Sequence, residues 1–300
     1  MLKFLLDQRH RLAFLNKPET TFITYRRSLI SVMISTYNHE PISIVASLFN
    51  NCIYLCSVEK PQETSRKDIH CNQNARFCAW GYKFEQYMLS DAPTLQPDIE
   101  KPVIENEEFS IYYCSQLGKH RLFYGAQIDG MLATRTVSGP PETADLNSNL
   151  TYLRENQFVE LKTNRGIYSQ RQEQNFKRYK MIRCWCQCYL AGLKGLLVGY
   201  RSDAGLIQRV QWFETDDIVR YCRDEWDPQT AINYLDYFLS YVENCFKSWK
   251  ATCDDTFASK EPFTLKFDID ASQNITISKD INQEHGILPD WYINNIRDQH

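Results

Sequence analysis

No stretch of this 300-residue chain approaches the roughly 20 uncharged apolar residues that a membrane-spanning helix needs. The N-terminus meets charge at Lys3 and Asp7 before any long apolar run develops, unlike a secretory leader. A soluble, intracellular protein with no membrane partner is therefore expected. Also missing is a strong excess of one charge: 34 Lys and Arg against 37 Asp and Glu leave a net −3. That excludes a surface coated in basic groups. It does not exclude a local positive groove, especially where bound cations offset a carboxylate cluster. There is no compact Lys/Arg tract of the nuclear-import kind. The 11 cysteines are irregularly spaced, unlike the framework of a small secreted domain, and reduced thiols are expected. Cys184, Cys186 and Cys188 fall in a helical pattern where alternate residues point in different directions, so they read as packing residues, as do Cys52 and Cys56 in a strand-like run. Internal repeats and an evident interdomain linker are absent too. With 43% hydrophobic and 24% charged residues, the economical reading is one mixed α/β domain over 1–300.

The chain then offers regular patterns. Leucines at 2, 5, 6, 12 and 15 suggest a first amphipathic helix that ends at Asn16-Lys17-Pro18. Strand-like segments follow at Thr21–Thr24, Ile42–Phe49 and Cys52–Val58, the last two joined by a hairpin turn at Asn50-Asn51. Residues 59–75 read as polar and turn-like, Phe77–Met88 as a helix and Asp91–Glu108 as a linker. Phe109–Cys114, Arg121–Asp129 and Gln157–Thr163 read as strands, with Thr134–Asn149 a surface loop rich in Ser, Gly, Pro and Asn. Phe176, Tyr179, Ile182, Cys186 and Leu190 recur at helical intervals and predict a long helix over 170–190. Strands at 196–200 and 210–213, a helix near 228–247, strands near 263–268 and 274–278 and a short terminal element at 288–296 complete the pattern.

Three pieces carry chemistry. Asp129 ends one strand and Glu160-Leu161-Lys162 lies on the next. Residues two apart in a strand share a face, so Glu160 and Lys162 point together while Leu161 turns into packing. If the two strands pair, Asp129 and Glu160 can share a Mg²⁺ or Mn²⁺ ion, which prefers hard oxygen ligands, with Lys162 beside a phosphate or a water. Such ions can activate water and stabilise both the attacking and leaving oxygens of a phosphodiester. Glu85, on the Phe77–Met88 helix, is a further carboxylate, with Lys83 facing elsewhere. The basic run Arg165, Arg171, Lys177, Arg178, Lys180 and Arg183 is a local bias that a solvated helix face would also show.

Taken together, Trp80-Gly81-Tyr82-Lys83-Phe84-Glu85, Gly125-Ala126-Gln127-Ile128-Asp129, Val159-Glu160-Leu161-Lys162, Trp185-Cys186-Gln187 and Gly199-Tyr200-Arg201 resemble the ordered motifs of the DXO family of decapping nucleases. Thr24-Tyr25-Arg26-Arg27 resembles the family's early arginine motif and Leu288-Pro289-Asp290-Trp291-Tyr292 its C-terminal signature. The resemblance implies an α/β domain with two β-sheets surrounded by helices and two divalent ions, Mg²⁺ or Mn²⁺. It also implies action on incomplete or unconventional RNA 5′ ends, NAD caps included, and in some members 5′ to 3′ degradation. By the same resemblance Glu85, Asp129, Glu160 and the Leu161 carbonyl are metal contacts. Lys162 and Gln187 stand at the reacting phosphate and its water, and Arg26 faces the RNA 5′ phosphate. Nuclear location, with cytoplasm as a second site, and a nuclear 5′ to 3′ exoribonuclease as partner are further implications.

The chain departs from the family pattern at two positions. Gln127 stands where the family has a glutamate, a contact weakened by the loss of formal charge. Arg27 replaces a glycine, placing a long cation beside Arg26. The chain also starts just before the arginine motif and is expected to lack much of the family's N-terminal region, as a short isoform would. These departures give weight to a second reading, a catalytically weakened, Cutoff-like protein that binds and protects RNA ends.

Overall fold

The amphipathic and alternating segments form two mixed β-sheets with flanking helices in a computed structural model. It describes residues 1–12, 20–58, 67–105, 107–133, 139, 141, 145–250, 261–280 and 285–298. The helices are α1 (Leu2–Asp7), α2 (Arg26–Ser35), α3 (Lys67–Met88), α4 (Leu146–Glu155), α5 (Gln170–Asn175), α6 (Ile182–Ala191), α7 (Thr215–Cys222), α8 (Pro228–Lys250) and α9 (Asp290–Arg297). The strands are β1 (Thr21–Tyr25), β2 (Ile42–Phe49), β3 (Cys52–Val58), β4 (Phe109–Leu117), β5 (His120–Ile128), β6 (Gly130–Leu132), β7 (Gln157–Arg165), β8 (Gly195–Arg201), β9 (Ile207–Glu214), β10 (Phe263–Ile269) and β11 (Ile275–Lys279). The chain folds as two compact units, Met1–Lys60 with Ile111–Ala126 and Asp227–His300, and Pro61–Ser110 with Gln127–Trp226.

The first unit is built on a seven-stranded sheet of order β11-β10-β2-β3-β1-β5-β4. The β2–β3 hairpin closes through Asn50 and Asn51, both at positive φ (47° and 60°), the pair of left-handed residues that a tight two-residue turn requires. Ile23, Phe49, Tyr54 and Phe123 of this sheet pack with Leu5 of α1 and Tyr292, Ile293 and Ile296 of α9. Each such side chain contributes about 1.5–3 kcal/mol by leaving water. The Tyr54 and Tyr292 hydroxyls share a buried hydrogen bond of 2.8 Å, so the C-terminal signature is a packing element. Cys52 is buried as expected, whereas Cys56 is exposed.

The second unit is built on the sheet β6-β7-β8-β9. β6 pairs antiparallel with β7 from Gly130–Val159 to Leu132–Gln157, and β7 runs parallel to β8 through Arg165–Arg201. The long helix expected over 170–190 is interrupted: α5 and α6 are joined by a π-helical turn, Phe176–Met181. α6 is buried on most sides, and Cys184, Cys186 and Cys188 pack there as ordinary core thiols. Burial pushes the Cys184 and Cys186 thiols up.

Several boundaries differ from the sequence reading. α3 begins at Lys67, inside the segment read as a turn; the sequence Lys67-Asp68-Ile69-His70-Cys71-Asn72-Gln73-Asn74 lacks the apolar periodicity that marks an amphipathic helix. α4 takes up Leu146–Asn149 of the supposed loop, capped by the Asp145 carboxylate, which accepts from Ser148 N–H. The first helix is shorter, α1 followed by a 3-10 turn at Arg9–Arg11, and the Asn16-Lys17-Pro18 turn lies outside the described residues.

Candidate active site

The site grows out of β7. Leu161 is buried against Val159 and Phe84, and this apolar contact seats α3 on the strand. A Cβ on Gly199 of β8 would come within 2.5 Å of the Phe84 ring, so only glycine leaves room for the ring against the strand. One residue after Phe84 comes Glu85. A similar close approach occurs one turn further on, where a Cβ on Gly130 would meet Leu89 at 2.5 Å. Phe84, Leu89, Gly130 and Gly199 are positioning residues that the sequence reading passed over, although Phe84 and Gly199 stood inside its motifs.

Asp129 does not sit on a strand paired with β7. β5 ends at Ile128, β6 begins at Gly130, and it is β6, three residues long, that forms the antiparallel pair. Asp129 thus occupies the break between strands of two different sheets. Its Oδ2 accepts from Leu161 N–H at 2.8 Å and from Lys162 Nζ at 3.0 Å. Glu160, only 1% exposed, accepts from Lys162 Nζ at 2.6 Å and from Gln187 Nε2 at 2.6 Å through its Oε1. Lys162 Nζ also donates to the Leu161 carbonyl at 2.9 Å. Asp129, Glu160, Lys162 and Gln187 are therefore in one bonded network, with the Leu161 main chain inside it.

Electrostatics follow from this packing. Burial opposes the charge on Lys162, but Glu160 and Asp129 outweigh it and hold the pKa above the ordinary lysine value. Glu85 is set back from the network yet within its field. Burial first, then the Asp129 and Glu160 charges, push its carboxyl up to about 7, against the opposing pull of Lys162. Glu85 and exposed Gln127 line one cavity of about 330 Å³ with Tyr82, Gln86, Leu89 and Lys101. The residues of the basic run have separate surroundings: Arg165 pairs with Asp203, Lys177 lies over Tyr221 beside Glu173, and Lys180 donates to Thr163 O. Arg26, 7% exposed, heads α2 in the first unit, and its neighbour Arg27 is exposed.

The donor chemistry suits a hard cation. Asp129 Oδ2, Glu160 Oε1 and Leu161 O all lie within 2.6–3.0 Å of one point, now marked by the Lys162 ammonium. Among the described residues no three His, Cys, Asp or Glu side chains form a metal-binding group. The oxygen set is two carboxylates and a carbonyl.

A protein-family model described as RAI1-like PD-(D/E)XK nuclease matches residues 1–293. The chain belongs to the RAI1-like PD-(D/E)XK nuclease family. Among RAI1-like relatives, the decapping and exoribonuclease protein of Xenopus laevis is 28% identical over 279 residues, 92% of this chain and 64% of that protein. The chain thus spans less than two thirds of that relative's length. Among solved structures, Scheffersomyces stipitis Rai1 in complex with 3′-NADP⁺ and calcium ion has a TM-score of 0.73 at 20% identity, covering 99% of this chain and 79% of that one. Candida albicans Rai1 in complex with pU5 and Mn²⁺ has a TM-score of 0.71 at 19% identity, covering 100% and 79%. Both share the RAI1-like fold of two mixed sheets and flanking helices.

Proposed function

We propose that the chain is a divalent-metal-dependent nuclease that hydrolyses a phosphodiester at incompletely or unconventionally capped RNA 5′ ends, NAD-capped ends included. The observation that carries this reading is the meeting of Asp129 Oδ2, Glu160 Oε1 and Leu161 O at one point on the end of β6. Mg²⁺ or Mn²⁺ held there, with Glu85 and Gln127 toward a second ion, would supply water activation and charge neutralisation at the phosphate. Gln187 fixes the Glu160 carboxylate by donating to Oε1, which keeps that buried acceptor oriented. With a cation in that place, Lys162 would have donors available for a phosphate oxygen. The two Rai1 complexes support the reading, since one contains a dinucleotide with calcium and the other a 5′-phosphorylated oligouridylate with manganese. Arg26 as a contact for the 5′ phosphate, 5′ to 3′ degradation, a nuclear exoribonuclease partner and a nuclear location belong to the same proposal.

The test is release of cap fragments or nucleotides from RNAs bearing 5′ monophosphate, triphosphate or NAD, in Mn²⁺, with Glu160→Ala as control. Cleavage by the unaltered chain and its loss in the variant are expected. Neutral Gln127 beside Glu85 favours a second reading, a protective RNA-end-binding protein. Tight RNA binding with no release at saturating Mn²⁺, and none restored by Gln127→Glu, would establish it instead.

A further inference from the structure

Lys162 shares the edge of β7 with a second amine. Within a strand, the N–H and C=O of one residue point to the same side and successive residues alternate. Pairing with β6 ends at Val159, so Leu161 and Thr163 direct their main-chain groups to a side that holds no strand among the described residues. Leu161 is served there by Asp129 and Lys162, and Thr163 O accepts from Lys180 Nζ at 2.6 Å.

The π turn explains how Lys180 reaches this edge. In an unbroken α-helix, Glu173, Lys177, Lys180, Cys184 and Gln187 would form one stripe, at intervals of three and four. Here the stripe is split. Glu173 accepts from the Tyr221 hydroxyl and Lys177 lies 4.2 Å over the same ring, whereas Lys180 and Gln187 meet β7. The extra residue of the turn lets one helix serve both α7 and β7.

Unlike Lys162, Lys180 forms no ion pair among the described residues. Burial holds its pKa below the ordinary lysine value; the Cys184 thiol counters this, while Arg201 and Lys162 add to it. Arg201 itself lies over Phe77 and Trp80, at 4.6 and 4.5 Å from their ring centres. A neutral amide would satisfy the Thr163 carbonyl without bringing a third cation close to Lys162 and Arg201. An ammonium has three donors, and the carbonyl uses one.

We propose that Lys180 is a substrate contact, receiving a non-bridging phosphate oxygen of the RNA backbone next to the reacting linkage. This rests on the nuclease reading above. The test compares the unaltered chain with Lys180→Gln, which keeps a donor for Thr163 O but loses the charge, and with Lys180→Arg, which keeps the charge. Binding of a fluorescent 5′-phosphorylated oligouridylate is followed by anisotropy in Ca²⁺ across salt concentrations, and Mn²⁺ binding is followed by electron paramagnetic resonance. Lys180→Gln should raise Kd about tenfold and reduce the slope of log K against log salt by about 0.7, the value for one phosphate contact on a single strand. Lys180→Arg should retain most of the slope, and Mn²⁺ affinity should stay within twofold in both. An unaltered chain that binds and cleaves RNA, with Lys180→Gln matching it in Kd and slope, overturns the contact alone and leaves Lys180 a brace for β7. An unaltered chain that neither binds nor cleaves RNA overturns the nuclease reading and the contact together.

Discussion

The ammonium of Lys162, 29% exposed, bridges two carboxylates of which one is almost wholly buried. In metal-free protein, Lys162→Met should leave Asp129 and Glu160 facing each other uncompensated, at a cost of about 3 kcal/mol. Chemical denaturation in EDTA measures this loss, and Mn²⁺ should restore most of it, since the oxygens suit a cation as well as an amine. Glu85 gives a pH signature in the same metal-free protein. Its folded pKa of about 7 lies above the ordinary 4.5, so the unfolded chain releases this proton first. Stability from this group is complete below about 4.5 and is lost as pH rises through about 7. Glu85→Gln should therefore match the unaltered chain in acid and exceed it above pH 7 by about 1–2 kcal/mol, allowing for the partial exposure of the carboxyl. Denaturation midpoints at pH 5 and 8 decide it, and a constant difference would show that Glu85 does not feel its neighbours. The identities of Asp129, Glu160, Lys162 and Gln187 as one group were readable from motif order. Their bonding was not, because residue spacing does not say that a lysine will lie across the acids two strands supply.

At the scale of elements, strands with strict alternation were legible to within a few residues: β2 and β3, with their Asn50-Asn51 turn, match the sequence pattern end to end. The misses share a cause, the absence of a local signal. α2 starts directly after β1 with Tyr25 as its N-cap and no side-chain cap, and its Leu29-Ile30-Ser31-Val32 run is as β-prone as it is helical. β6 is too short for alternation to show, and the π turn leaves helical periodicity nearly intact on either side. The glycine contact of β8 with α3 gives a direct test of element docking. Gly199→Ala should force Phe84 off the strand, costing about 1–3 kcal/mol and tilting Glu85 out of place. Thermal melting would show the first effect, and a weaker Mn²⁺ affinity the second. Full affinity in a folded variant would mean that Glu85 is placed by something other than this packing.

For the molecule as a whole, the first unit is assembled from three separated pieces of chain. Its sheet takes β10 and β11 from beyond residue 260, and its core takes Tyr292, Ile293 and Ile296 from α9. A chain ended after Lys250 should therefore fail to fold cooperatively, exposing the β2 edge and the apolar faces around Tyr54; a sharp two-state melt by circular dichroism would contradict this. The charge balance of −3 and the placement of the strands were open to reading from sequence, but division into discontinuous units was not, since no linker marks it. The early end of β6 has a further consequence for life in a crowded solution. A bare strand edge invites a neighbouring molecule to add its own strand, the first step of many aggregates. Along β7 three of the groups such a strand would seek, the Leu161 N–H and the Leu161 and Thr163 carbonyls, are already engaged by Asp129, Lys162 and Lys180. An incoming backbone would have to displace all three side chains at once, so this edge is a poor template for an added strand.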